Sequence, residues 1–167
     1  MAVDRREFLK LAAAGALAPS LPDTPAARAR LDRVLKQRGV PWSFKIVARI
    51  SPGVPESFTL AGDRNSLRAT GGDARGLSYA LYEIADRVER ASDPMQALHF
   101  PEPVSDRPLN TVRSVARLFT SDVTDKVWFN DREMWPAYFE MLASQRFNRF
   151  QLALGIGYDF LREVTDA

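Results

Sequence analysis

The most regular apolar pattern in the chain lies in Gly71–Arg90 and predicts an amphipathic helix. Its hydrophobic positions recur at helical spacing and form one continuous stripe: Leu77, Ala80, Leu81, Ile84, Ala85 and Val88. Asp73 is the residue type that accepts the unpaired N–H groups of a first helical turn. Two oppositely charged pairs lie on the other side at i,i+4 spacing: Glu83 with Arg87, and Asp86 with Arg90. A stripe of this kind needs a partner surface.

The segments before this helix alternate as half-buried strands do. Trp42–Ile50 predicts a strand with these residues on one face: Trp42, Phe44, Ile46, Ala48 and Ile50. Glu56–Ala61 and Ser66–Thr70 predict a β-hairpin around a turn at residues 62–65. The predicted helix therefore lies across a small sheet.

Three further segments complete the first half of the chain. Thr24 followed by Pro25 is typical of a helix start, and the predicted helix ends at Gly39. Met95–Phe100 alternates and is compatible with one further strand. Pro101–Pro108 is rich in proline, which indicates a linker and a domain boundary.

The second half has the pattern of a βαβ unit. Four segments follow in order: a strand at Val112–Thr120, a polar loop at Asp122–Asp131, a helix at Asp131–Phe147 and a strand at Arg149–Leu154. Asn130 and Glu133 have the spacing of a capping box, although Pro136 then falls inside the helix. A short turn before Pro136 and the main helix after it would resolve that conflict. The spacing of the elements predicts a parallel sheet.

Composition narrows the functional classes. The 167 residues carry a net charge of +2, with no basic run interleaved with aromatic residues, so nucleic-acid binding is not indicated. The absence of cysteine excludes disulfides and thiolate metal sites. The single histidine, His99, is interpreted as structural. No metal site and no cofactor is predicted.

The first residues resemble a bacterial export signal. Asp4–Lys10 contains a twin-arginine pair, and the short apolar run Leu11–Ala18 follows it. That run is too short to span a bilayer stably. Small residues at positions 16–18 and 27–29 offer two cleavage sites. We therefore predict a periplasmic or extracellular protein, the alternative being an ordinary amphipathic N-terminal helix.

The predicted helix and the turn before it resemble part of a known enzyme fold. The residues that carry the resemblance are Gly72, Asp73, Arg75, Gly76, Leu77, Tyr79, Leu81, Tyr82 and Glu83. They are similar to the small domain that precedes the barrel in family 20 β-hexosaminidases and family 67 α-glucuronidases. The resemblance implies an α+β fold, a small sheet with packed helices like the second domain of a hexosaminidase. That domain packs against the catalytic barrel and contributes no chemistry.

The second half continues the resemblance. Barrels of these families open with an arginine on the first strand and an aspartate five positions later, which Arg117 and Asp122 match. The run Met141–Phe150 is similar to the end of the helix that leads into the second strand. Where family 20 enzymes commonly carry histidines on that strand, this chain has Gln151 and Ala153.

The length limits how much of a barrel is present. A complete (β/α)₈ barrel needs about 250 residues, and Pro108 leaves 59 of the 167. We therefore expect the truncated start of a barrel, with the catalytic acid beyond the last residue and no turnover by this chain alone. The predicted domains are a signal and linker at 1–29, a small α+β domain at 30–108 and a first, incomplete barrel unit at 109–167.

The candidate site residues follow from barrel geometry, because barrel active sites form at the carboxyl ends of the strands. Four residues are predicted to bind substrate: Arg117, Asp122, Tyr158 and Asp159. Asp125 is a further candidate after the first strand, unless it and Asp122 only shape the loop. Arg117 is expected to point inward, toward sugar hydroxyls or into a salt bridge. Trp128, Trp135 and Tyr158 provide either sugar-stacking surfaces or core aromatics.

Three functions are compatible with this pattern. The first is the N-terminal part of an exported glycoside hydrolase that acts on a glycan, with no membrane span and no nucleic-acid partner. The second is a stand-alone carbohydrate-binding or interaction module formed by the small domain. The third is an inactive remnant. We adopt the first for the complete protein.

Overall fold

The computed structural model of the protein describes residues 24–63 and 65–154. In chain order the elements are α1 (Thr24–Gln37), β1 (Lys45–Ile50), β2 (Phe58–Gly62), β3 (Ser66–Gly71), α2 (Ala74–Arg90), α3 (Pro94–Ala97), β4 (Val104–Asp106), β5 (Ser114–Phe119), α4 (Asp122–Phe129), α5 (Met134–Ser144) and β6 (Arg149–Leu154). The twin-arginine segment, the loop after β6, Tyr158 and Asp159 lie outside the described residues.

Helix α2 is the centre of the larger core. The whole predicted stripe is buried, and Tyr79 and Tyr82 are buried with it. Asp73 caps the helix, because its Oδ1 accepts a hydrogen bond from the Gly76 backbone N–H at 2.6 Å. The cap and stripe predictions are confirmed, since Asp73 is the N-cap and the helix runs from Ala74 to Arg90.

The first sheet has four strands in the order β1-β3-β2-β4. Strand β1 pairs with β3 in parallel, whereas β2 pairs with β3 and β4 in antiparallel. The predicted hairpin is therefore confirmed as β2 and β3. In β1 only the middle of the predicted stripe packs against the core, since Trp42 is 97% exposed and Ile50 is half-exposed.

Helix α1 packs beside α2 and contributes Ala27, Leu31 and Val34 to the core. It ends as predicted, because Gly39 has a φ of +68°, which favours glycine. Burial of Ala27 shows that the core begins before residue 30.

Two predictions between α2 and β5 are wrong. Met95–Phe100 is not a strand, because Asp93 and Pro94 start the helical turn α3 and the Asp93 carboxylate accepts the Met95 N–H at 2.9 Å. Pro101–Pro108 is not only a linker, because it contains β4, the edge strand beside β2. Leu98 and Phe100 are nevertheless buried.

The second sheet is the predicted parallel pair, with Ser114 opposite Arg149 and Phe119 opposite Leu154. Helices α4 and α5 connect the two strands, so the βαβ prediction is confirmed. One face of the pair packs on these helices through aromatic side chains, including the contact of Phe150 with Trp135. The opposite face is largely exposed and carries Ser114, Ala116, Leu118, Arg149, Gln151 and Ala153.

The connection between the strands differs from the prediction. The expected polar loop is helix α4, whose N-cap Ser121 accepts the Val123 N–H at 3.2 Å. The predicted capping box is also wrong, because the Asp131 carboxylate accepts the N–H groups that lead into α5. Pro136 lies in the first turn of α5, where its missing N–H leaves no helical hydrogen bond unmade.

Ion pairs and apolar packing join the two sheets. Glu140 of α5 accepts from Arg30 and Arg33 of α1 at 3.3 and 2.8 Å. Ala143 of α5 packs against the larger core. Arg146, just after α5, pairs with Glu83 at 3.2 Å and also with Asp106. The βαβ unit is therefore docked on the helical side of the small domain.

Candidate functional site

A cluster around Glu56 connects the small domain to the amino ends of β5 and β6. Its Oε1 accepts from Arg75 Nη1 at 2.7 Å and from Asn148 Nδ2 at 3.1 Å. Its Oε2 accepts from Arg113 Nη2 at 2.6 Å. Arg113 Nη2 also donates to the Tyr79 hydroxyl at 2.9 Å. We call these five residues the Glu56 cluster.

Arg113 and Asn148 hold the two strand ends to each other as well as to Glu56. Arg113 immediately precedes β5 and Asn148 immediately precedes β6. The Arg113 backbone N–H donates to Asn148 Oδ1 at 3.0 Å, and Asn148 Nδ2 also donates to the Thr111 carbonyl at 2.8 Å. Asn148 therefore has a structural role at the two strand starts.

Glu56 is held in an unusual backbone conformation. Its φ is +59°, the left-handed region that non-glycine residues rarely adopt. Its backbone N–H donates to Asp73 Oδ2 at 3.0 Å, so the cap of α2 also fixes this turn. The hydrogen bonds to the Glu56 side chain and from its backbone N–H together stabilise this strained backbone conformation.

The cluster favours ionised Glu56. Burial raises the pKa of this carboxyl, but the hydrogen bonds from Arg75, Asn148 and Arg113 outweigh burial, and the net pKa is below its ordinary value. Burial, together with the Glu56 charge, raises the pKa of the Tyr79 hydroxyl. Tyr79 is consequently a neutral phenol and Glu56 an ionised carboxylate paired with arginines. Both are linked through Arg113, which joins the small domain to the start of β5.

A cleft of about 660 Å³ opens beside the cluster. Its walls are the segment before β2, the start of α2, residues 107–111 and the start of β6. Its charged lining residues are Glu56, Asp73, Arg75, Arg107 and Arg149. Neither of these last two arginines makes an ion pair with any described residue.

Arg117 was expected to point inward, away from the helices, but the structure shows the opposite orientation. It lies on the helix-bearing face of β5, where its guanidinium stands over the Trp128 ring at 4.0 Å and the Tyr138 ring at 5.3 Å. This follows from the strand period, because Val115, Arg117 and Phe119 share one face. Arg117 therefore braces the α4–α5 layer through cation–π contacts.

Asp125 is committed to the turn into α4. Its Oδ2 accepts from the Thr120 and Ser121 backbone N–H groups at 2.8 and 3.0 Å, and its Oδ1 accepts from Trp128 Nε1 at 2.9 Å. These hydrogen bonds lower the pKa of the Asp125 carboxyl to about 2. So low a pKa makes Asp125 a poor general base near neutral pH. Asp122 is the first residue of α4, directly beyond the carboxyl end of β5.

The tryptophans fill the layer between the second sheet and its helices. The ring centroids of Trp128 and Trp135 lie 5.7 Å apart in an edge-to-face arrangement. Trp135 stacks on Phe139 with a centroid distance of 5.6 Å. Trp135 Nε1 also donates to the Phe129 carbonyl at 3.0 Å. Of the two alternatives for these residues, the structure supports core packing.

The described residues contain no cluster of three or more metal-ligating side chains. No helix among them is both long enough and apolar enough to cross a bilayer. No local pattern predicts the Glu56 cluster, because its members lie far apart along the chain.

Solved structures similar to this fold include two glycoside hydrolases. A family 138 glycoside hydrolase targeting the pectin rhamnogalacturonan II has a TM-score of 0.65 at 21% identity, over 82% of this chain and 18% of that one. A family 20 β-N-acetylglucosaminidase has a TM-score of 0.57 at 28% identity, over 81% of this chain and 26% of that one. No family model and no curated protein matches the sequence. The chain thus spans about a quarter or less of these enzymes, and its resemblance to glycoside hydrolases is confirmed.

Proposed function

We propose that this chain is the non-catalytic small domain and the first βαβ unit of a (β/α)₈ barrel in an exported glycoside hydrolase. The complete enzyme would hydrolyse O-glycosyl bonds of a glycan. One observation carries the proposal: the parallel pair β5–β6 is covered by helices on one face and exposed on the other.

The exposed face favours a barrel. Parallel sheets are ordinarily covered on both faces, and in a barrel the inner face is filled by side chains from the other strands. Leu118 lies on the exposed face and is 58% exposed. Further parallel strands would cover Leu118 and pair the open edges of β5 and β6.

The substrate would lie at the carboxyl ends of these strands. Asp122, Tyr158 and Asp159 follow those ends in sequence, and we assign them as candidate substrate contacts. Asp125 instead accepts a hydrogen bond from Trp128, and Arg117 makes a cation–π contact with the same ring. A glycosidase needs two placed carboxyl groups or a substrate group in place of one. We therefore expect the catalytic acid on later strands and no turnover by these 167 residues alone.

A chimera tests this assignment. The family 20 neighbour, with its matched segment replaced by this chain, should hydrolyse a 4-nitrophenyl β-N-acetylglucosaminide, whereas this chain alone should not. A matched chimera carrying Glu56→Gln should fold less stably, and one carrying Glu89→Gln should not. Hydrolysis by the isolated chain would refute the non-catalytic role. A soluble, folded chimera whose second sheet exchanges amide hydrogens as fast as in the isolated chain would refute the barrel assignment.

Export rests on the twin-arginine segment. Because Ala27 is buried in the core, cleavage at residues 27–29 would remove a core side chain. We therefore propose cleavage before α1, at residues 16–18 or nearby. Mass spectrometry of the protein recovered from a bacterial periplasm would show the mature N-terminus. Recovery of the full-length chain from the cytoplasm alone would contradict export.

A further inference from the structure

The cleft beside the Glu56 cluster has positive charge that the fold does not use. Three arginines and two carboxylates line it. Both carboxylates are already committed, since Glu56 accepts three side-chain hydrogen bonds and Asp73 accepts two backbone N–H groups. The charge that remains toward the cleft is that of Arg107 and Arg149, which have no ion-pair partner among the described residues.

The rest of the lining is suited to a hydroxylated ligand. The Asn110 amide offers both a donor and an acceptor, and the Thr111 hydroxyl offers the same. Val54, Pro55 and Pro108 add apolar surface. A cleft of about 660 Å³ is within the size range of small-molecule sites. Guanidinium groups bind carboxylates through paired, charge-assisted hydrogen bonds.

We infer that this cleft binds a carboxylate-bearing saccharide, a uronate-type unit, through Arg107 and Arg149. The site lies at the amino ends of β5 and β6, away from the carboxyl ends where the proposed barrel would act. It would therefore anchor an acidic glycan rather than cleave it. Arg149 lies at the amino end of the sheet face that would be the inner face of the proposed barrel, so the inference also requires that end of the barrel to remain open to the cleft.

Titration of the full chain with trigalacturonate, followed by backbone amide NMR, tests the site. We expect saturable shifts at residues 107–111 and 149, and binding that weakens as sodium chloride rises from about 0.05 to about 0.5 M. Chitotriose, an uncharged trisaccharide, should bind at least about tenfold more weakly. Inorganic phosphate should compete only at much higher concentration than the saccharide.

The double variant Arg107→Gln/Arg149→Gln should bind trigalacturonate at least about tenfold more weakly, with an unchanged circular dichroism spectrum. The matched control is Arg90→Gln, an exposed arginine at the far end of α2, about 24 Å along the helix from Ala74. It should bind like the unmodified chain. No binding, equal binding of chitotriose, equal potency of phosphate, or undiminished binding by the double variant would each overturn the inference.

Discussion

Replacing Glu56 by glutamine tests whether one carboxylate fastens the βαβ unit to the small domain. The substitution keeps the side-chain shape but removes the charge that Arg75 and Arg113 contact. Glu56 and Arg113 are each only 14% exposed, so solvent compensates poorly for the lost pair. A hydrogen bond to a charged group is worth about 1.5–3 kcal/mol, and breaking a fully buried pair costs about 3–5 kcal/mol. Because glutamine keeps one acceptor oxygen, we expect a loss of about 2 kcal/mol.

Urea unfolding measures this loss. Trp128 and Trp135 lie in the βαβ unit, so their fluorescence reports on that unit, while far-ultraviolet circular dichroism reports on both parts. Trp42 is 97% exposed and should contribute a nearly constant background. The fluorescence midpoint should fall more than the dichroism midpoint, because the unit loses its anchor.

The control is Glu89→Gln, which removes a half-exposed carboxylate paired with Arg30 at 3.0 Å. Exposed pairs contribute about 0–1 kcal/mol, so its midpoint should barely move. If Glu56→Gln costs no more than Glu89→Gln, the cluster does not hold the two parts together and the reasoning is refuted.

The cost of Glu56→Gln should also depend on pH. The folded-state pKa of Glu56 is lowered from an ordinary value of 4.5. A lowered carboxyl pKa contributes stability that is complete above the ordinary value and is lost as pH falls through the folded value. The difference between the two proteins should therefore be constant from pH 5.5 to 7 and shrink below pH 4.5. A constant difference down to pH 3 would exclude an ionic origin.

Three further substitutions have defined outcomes in thermal unfolding. Gly76→Ala should lower the free energy of unfolding by about 1–3 kcal/mol, because a Cβ there would lie 2.1 Å from the Ser57 carbonyl oxygen. An unchanged melting midpoint would contradict that close approach. Asp73→Ala should lower the free energy of unfolding by about 1 kcal/mol or more, because it removes the cap of α2 and the acceptor for the Glu56 N–H. The control is Asp93→Ala, at the short helix α3, which should have a smaller effect. Asp125→Asn should destabilise the βαβ unit at neutral pH. The stability difference between the variant and the unmodified protein should fade as pH falls from 3.8 toward about 2. A stability loss that does not change with pH would assign the effect to geometry alone.

Local patterns identified most of the helices and strands. The stripe from Leu77 to Val88 has a strict helical period and a capping aspartate, so α2 is fully specified by nearby residues. β6 was predicted with its observed bounds, and β5 within two residues at its start. These elements need no distant contact to be recognised.

The missed elements depend on distant partners or on short signals. β4 is three residues long and is recognisable only through its pairing with β2. α4 was missed because polar residues at its start resemble a loop. Arg117 was misplaced because the strand period does not say which of two faces carries the helices.

The Glu56 cluster was unpredictable for a stronger reason. Glu56 lies 57 residues from Arg113 and 92 from Asn148, so no sequence window contains the junction. Its left-handed φ has no glycine to mark it. Only the completed packing of two strand starts on one turn makes the position special.

The location of this cluster bears on what the small domain does in the proposed enzyme. In barrels of this type, residues at the amino ends of the strands serve stability, and residues at the carboxyl ends serve catalysis. Arg113 and Asn148 lie at the amino ends, so the small domain contacts β5 and β6 at the end remote from the proposed chemistry. A substitution at Glu56 should therefore lower stability and leave the substrate end intact. That separation is what a non-catalytic domain that supports the first strands of a barrel requires.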